Sequence, residues 1–177
     1  MDLVFDALAR WFAPVLCFTA EEAWLSRHGD DPETSVHLVT YPEIPAGWRD
    51  AALAQKWARL RDLRRVVTGA LEIERAEKRI GSSLQAAVTV YAEPAAIAAL
   101  RGLDLAEICF TSAGTLTTEP APATAFRLPE VAGVAVTVGL APGEKCQRCW
   151  RILPEVGAAH PELCRRCTVV VAATAGA

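Results

Sequence analysis

Lys145-Cys146-Gln147-Arg148-Cys149-Trp150-Arg151 and Leu163-Cys164-Arg165-Arg166-Cys167 are the most informative residues of the chain, with fourteen residues between Cys149 and Cys164. Two Cys-x-x-Cys turns brought together present four thiolates in a tetrahedron, the donor set and geometry that suit zinc. The gap is one residue short of the usual range of about 15–20, a trivial departure for a loop. Disulfides are the competing explanation. They are disfavoured by the pairwise spacing and by a reducing compartment, which keeps thiols free. Cys146, Cys149, Cys164 and Cys167 are thus the expected ligands of one structural Zn2+. With sulfur at all four positions, no site is left for a catalytic water.

The residues around the cysteines have two readings each. Four thiolates leave a divalent ion with excess negative charge, which Lys145, Arg148, Arg165 and Arg166 can offset; the same cations suit a polyanion. Trp150 either roofs a module too small for an apolar core or offers a stacking face to an unpaired base. His160 lies inside the loop and would ligate only if a cysteine failed. Cys17 and Cys109 sit in apolar sequence and read as buried thiols.

Upstream, residues 50–79 form a helix, since Leu53, Trp57, Leu60, Leu63, Val67, Ala70 and Leu71 recur at 3.6-residue spacing. Gly81 supplies its C-cap. Residues 2–27 read as a helix broken near Pro14, with Leu3, Leu8, Trp11 and Phe12 on one stripe and a fresh N-terminus at Thr19-Ala20-Glu21-Glu22. Val36-His37-Leu38-Val39 is a short extended stretch in a connector. Strands are expected at 86–91, 107–112 and 131–138, a short helix at 95–101 and a loop over 113–130.

The whole chain has 177 residues, 52% of them hydrophobic and 22% charged, with a net charge of -3. Disorder is excluded by that balance. Charge is uneven: residues 49–80 and 144–177 are basic, +4 and +2, within an acidic frame. Neither a secretory leader nor a run of the ~20 apolar residues needed for a membrane helix is present, so a soluble cytoplasmic protein is expected. No nucleophile motif, phosphate-cradling loop or dinucleotide fingerprint occurs. Glu21 and Glu22 point about 100° apart on a helix and make a poor acid/base pair. No catalytic residue is expected.

Several stretches together resemble a known family. Trp11-Phe12-Ala13-Pro14-Val15-Leu16-Cys17-Phe18-Thr19-Ala20-Glu21-Glu22-Ala23-Trp24, followed by Ser35-Val36-His37-Leu38, resembles the end of the helical anticodon-binding domain of class I aminoacyl-tRNA synthetases. Ala70-Leu71-Glu72 through Ile80-Gly81-Ser82-Ser83-Leu84 is similar to the region after that domain in bacterial isoleucyl-tRNA synthetases. Gly143 to Trp150 with Leu163 to Cys167 resembles their C-terminal zinc module. Cys17 stands where the wider family often has proline, a departure that bears on a helix kink.

The resemblance implies an α+β, multi-module chain: residues 1–83 from a helical anticodon-binding domain, 84–141 a small α/β connecting module, and 142–177 a four-cysteine zinc finger and tail. It implies the tRNA-binding portion of an isoleucine–tRNA ligase, with isoleucine tRNA (its anticodon stem-loop) and the rest of the synthetase as partners, and neither membrane nor DNA. The implied tRNA contacts are Trp150, Arg151, Arg165 and Arg166, with Arg61 and Arg65 on the 50–79 helix. The family's catalytic His-x-Gly-His and Lys-Met-Ser-Lys-Ser motifs are absent: the histidines are followed by Gly-Asp, Leu-Val and Pro-Glu, and the only methionine is Met1. ATP therefore belongs to a catalytic domain of the parent enzyme that these residues lack, as does editing. The alternative is a zinc-stabilised DNA-binding or protein-interaction module. A formamidopyrimidine-type glycosylase would need an N-terminal catalytic proline, and the chain starts Met1-Asp2.

Overall fold

In a computed structural model that describes residues 2–29 and 31–175, the first apolar segment is broken where Pro14 cannot donate a backbone hydrogen bond. Helix α1 spans Asp2–Phe12 and α2 spans Cys17–His28. The second helix thus starts two residues before Thr19, after Leu16, and without a side-chain cap. The chain divides after Asp50 into two units.

In the first unit the interior is lined with small residues. Ala9, Ala13, Ala20, Trp24 and Val36 form its buried cluster, with Phe5 and Leu25 against it. The expected stripe of Leu3, Leu8, Trp11 and Phe12 is exposed instead. Alanines let the helices approach closely, and Trp24, 4% exposed, fills the space beyond them. Its indole Nε1 donates to the Thr34 carbonyl at 2.5 Å. Residues Val36–Leu38 form a 3-10 turn and not the expected extended stretch. Two hydrogen bonds decide this: the His37 amide donates to Ser35 Oγ, and the Val36 amide donates to Glu21 Oε2 at 2.9 Å. Cys17, expected to be buried, is exposed.

The second unit is built on α3, Ala51–Ala76. Leu60, Leu63, Val66, Val67, Ala70 and Leu71 are its buried face, and each large side chain there contributes about 1.5–3 kcal/mol. Leu53 and Trp57 are exposed on the turns before it. The helix ends on Lys78, not Gly81. Lys78 adopts φ 59, its amide donates to the Arg75 carbonyl, and the Arg79 amide donates to that of Glu74. That is the paired-bond termination normally made with glycine. Gly81 instead donates its amide to Gln85 Oε1.

Helix α3 packs on a three-stranded sheet of order β2-β1-β3. Strand β1 is Ala86–Ala92, β2 is Ala113–Thr117 and β3 is Val134–Leu140. β1 pairs parallel with β2, Val88 opposite Gly114, and antiparallel with β3, Val90 opposite Val136. Ala86, Val88, Val90 and Ala92 alternate inward into the cluster that holds the α3 face. A parallel pair needs a crossover, and here it carries α4, Pro94–Ala99, and α5, Leu105–Cys109.

The strand expected at 107–112 is therefore largely helix, and the loop expected over 113–130 begins with a strand. Asp104 decides the first point, because its carboxylate accepts from the Ala106 and Glu107 amides and starts α5. At Gly114 a Cβ would lie 2.9 Å from Leu105 Cγ, so β2 passes under α5 only as glycine. In space α3 belongs with the sheet, so the packing division at Asp50 differs from the sequence boundary at 83/84.

Ser112 joins this sheet to the C-terminal residues of the same unit. Its amide donates to the Ala86 carbonyl, its hydroxyl donates to the Leu84 carbonyl and accepts from the Ile152 amide at 2.7 Å, and its carbonyl accepts from Arg151 Nη2 at 2.8 Å. Ser112 is 1% exposed. Ser112→Ala should lower unfolding free energy by about 1–2 kcal/mol, because two half-buried backbone groups lose a partner. Urea unfolding midpoints within error of the parent chain would refute that joint. No helix among the described residues is long and apolar enough to cross a membrane.

Candidate zinc centre

The first cysteine pair sits at the tip of a small hairpin. Strand β4, Glu144–Lys145, pairs antiparallel with β5, Ile152–Leu153. Between them the Cys146 amide donates to the Arg151 carbonyl at 2.9 Å and the Trp150 amide to the Cys146 carbonyl at 2.8 Å. Trp150 takes φ 65 to close that turn. The second pair opens helix α6, Arg165–Ala175, with Cys164 immediately before it and Cys167 in its first turn. A helix N-terminus favours negative charge, here a thiolate.

The four sulfurs lie within 4.8 Å of one another, and Cys149 Sγ is 3.8 Å from Cys164 Sγ. Zinc–sulfur bonds of ~2.3 Å at tetrahedral angles place sulfurs about 3.8 Å apart, so this spacing fits the ion. The sulfurs also have donors: the Cys164 amide reaches Cys146 Sγ at 3.4 Å and Arg148 Nη1 reaches Cys167 Sγ at 3.8 Å. Burial works against ionisation of Cys146, but the amides of Cys149, Cys164 and Arg148 outweigh it and hold its thiol below the usual range. At Cys164 burial dominates and pushes the thiol up, with the neighbouring thiols adding to it. Leu163, Leu153 and Val156 close around the sulfurs. His160 stays outside the donor set, and its Nδ1 accepts from the Glu162 amide.

Residues 1–90 match the family described as the anticodon-binding domain of tRNA ligase. The chain belongs to that family. Residues 143–169 match a zinc finger found in FPG and IleRS, which covers all four cysteines. The chain is also similar to isoleucine–tRNA ligases: 57% identical to that of Agrobacterium fabrum over 87% of this chain, 53% to that of Ruegeria pomeroyi over 94% of it, and 49% to that of Rhodopseudomonas palustris over 94% of it. It spans 16–17% of the length of these relatives. The centre is thus a structural zinc site in a tRNA-ligase anticodon-binding chain, and the DNA-binding alternative is not favoured.

The residues expected to meet RNA occupy different situations. Trp150 is 61% exposed, with Lys145 Nζ 5.7 Å from its ring centroid; it does not roof the module. Arg165 is exposed. Arg151 is half-buried and committed to the Ser112 carbonyl. Arg166 pairs with Glu107 at 3.0 Å; burial opposes its charge, but the Cys149 and Cys167 sulfurs and that carboxylate raise its pKa. On α3, Arg65 is tied to Asp62 and Glu130, whereas Arg61 has no ion pair among the described residues. Arg64, which the sequence pattern does not single out beside Arg65, holds its guanidinium 5.3 Å from the Phe110 ring. Helical phase is the signal that could have found it: Arg64 lies three residues from Arg61 and shares its face.

Proposed function

We propose that this chain is the tRNA-gripping portion of an isoleucine–tRNA ligase and takes hold of isoleucine tRNA at the anticodon stem-loop. In this reading residues 1–83 and 142–177 carry the RNA contacts and 84–141 space them. Joining isoleucine to the tRNA with ATP falls to other parts of the ligase, since the class I catalytic motifs do not occur in these residues. The single observation that carries the reading is the Trp150 ring, held outward on the zinc knuckle by its left-handed backbone with a lysine ammonium beside it. An aromatic face with an adjoining cation is what an unpaired base and its phosphate require. Arg165 and Arg148 supply further charge nearby, and the family match and the relatives' names agree with the reading.

The test is fluorescence anisotropy of the zinc-loaded chain against isoleucine tRNA, a non-cognate tRNA and duplex DNA at two salt concentrations. Preference for isoleucine tRNA is expected, with Trp150→Ala weakening it about tenfold while zinc content stays intact. Equal affinity for duplex DNA would favour a DNA-binding module. The absence of salt-sensitive binding would favour a protein-interaction module. Zinc lost together with binding in Trp150→Ala would make the indole structural.

A further inference from the structure

We infer that the cleft between α3 and α5 is a second RNA contact, which takes one unpaired nucleotide base against Phe110; this rests on the tRNA-gripping reading above and departs from it in giving residues 107–110 of the 84–141 spacer a direct contact. The cleft is an open groove of about 360 Å³, lined chiefly by Trp57, Arg61, Arg64, Glu107, Ile108 and Phe110. That is room at the lower end of small-ligand sites.

The chemistry of this lining selects its occupant. Phe110 is 63% exposed and Trp57 is also exposed, so two aromatic groups stand at the cleft without being part of the buried core. Arg64 lies over the Phe110 ring, and among the described residues neither it nor Arg61 is ion-paired. The one carboxylate in the lining, Glu107, is paired with Arg166 in an exposed ion pair. The cleft therefore presents planar apolar and planar cationic groups with an excess of positive charge. A nucleobase stacks on such faces whatever its identity, and its phosphate meets the guanidinium groups. An apolar peptide would leave both arginines facing a surface without anions.

Phe110 is not placed there by the needs of the helix. It occupies φ 55 after the last turn of α5, with its amide bonded to the Glu107 carbonyl. That conformation favours glycine or asparagine, and the ring gains little burial in return. The Glu107–Arg166 pair also ties the cleft to the first turn of α6, beside exposed Arg165. One strand leaving the zinc knuckle thus has a cationic route to the cleft.

The experiment uses the zinc-loaded full chain with two probes, isoleucine tRNA and a labelled single-stranded oligouridylate. Phe110→Ala should weaken both about tenfold, the size of one lost stacking contact, and Phe110→Tyr should restore affinity. Arg64→Ala should weaken binding and reduce the salt slope by about one. Ultraviolet crosslinking of an iodouridine-substituted oligonucleotide should label the peptide bearing Phe110 or Trp57. RNA affinity unchanged in both Phe110→Ala and Arg64→Ala would overturn the inference and leave the cleft to a protein partner. If Trp150→Ala still weakens binding in that case, the tRNA-gripping reading stands alone. A parent chain that binds neither RNA overturns both.

Discussion

Cys167→Ser is expected to abolish zinc binding and to melt residues from β4 through α6 while the sheet survives. The sulfur cluster is separate from the larger apolar core: Cys146, Cys164, Cys167 and Leu163 are its buried members, against sixteen in the core of α3 and the sheet. So small a cluster draws its stability from the metal, whose binding supplies about 10–16 kcal/mol in comparable modules. Cys17→Ser is the control, since Cys17 is exposed and outside the donor set. Zinc stoichiometry by chelator colorimetry and amide exchange at Ile152 and in α6 would report the outcome. Retained zinc in Cys167→Ser would refute the four-sulfur site.

Acid should produce the same state. The zinc-bound fold carries thiolates, while the unfolded chain carries thiols that titrate near ~8.5. The unfolded state therefore binds more protons, so stability rises with pH and is lost as pH falls below that range. Zinc release that grew with rising pH would contradict the site.

Gly143→Ala should come next in size, at about 3 kcal/mol, or roughly a hundredfold in zinc retention. Gly143 has φ 111, which a Cβ strains, and the added methyl would overlap the Leu153 carbonyl and the Pro154 nitrogen. These are backbone atoms of the facing hairpin strand and cannot rotate away. Relief requires β4 and β5 to part, which opens the bond from the Cys146 amide to Arg151 that shapes the knuckle. Gly139→Ala is the matched control, with open space around its Cβ position and no left-handed backbone. Chelator competition and thermal melting of the two variants decide it. Equal behaviour would mean that the hairpin tolerates the methyl.

The legibility of these features in the sequence depends on their range. The cysteine spacing is a local pattern whose chemistry admits few alternatives, so the ligands can be read directly. Helix α3 is legible because its apolar residues recur in phase from one turn to the next. The segment at 107–112 reads wrongly as a strand because Ile108, Phe110 and Thr111 favour strands, while Asp104, outside the window, starts a helix. Strand β2 contains Ala113, Gly114 and two threonines, a composition typical of loops; its pairing with β1 and its passage under Leu105 are long-range facts. Arg151 looks like a free cation in the sequence because nothing local announces Ser112 as its partner, and for Arg65 the i,i+3 partner Asp62 is readable while Glu130 is not.

Away from buried Trp24 and Val36, the alanine-lined seam between α1 and α2 inverts the usual ranking of mutational damage. At most positions, trimming a large apolar side chain harms a protein more than altering an alanine. In residues 1–50 the large groups at Leu3, Val15 and Phe18 face outward, and Ala9, Ala13 and Ala20 form the contact. Ala20→Val is therefore expected to destabilise this unit more than Phe18→Ala does, and thermal melts of the two variants would show the reverse order if the seam tolerates the added methyl groups.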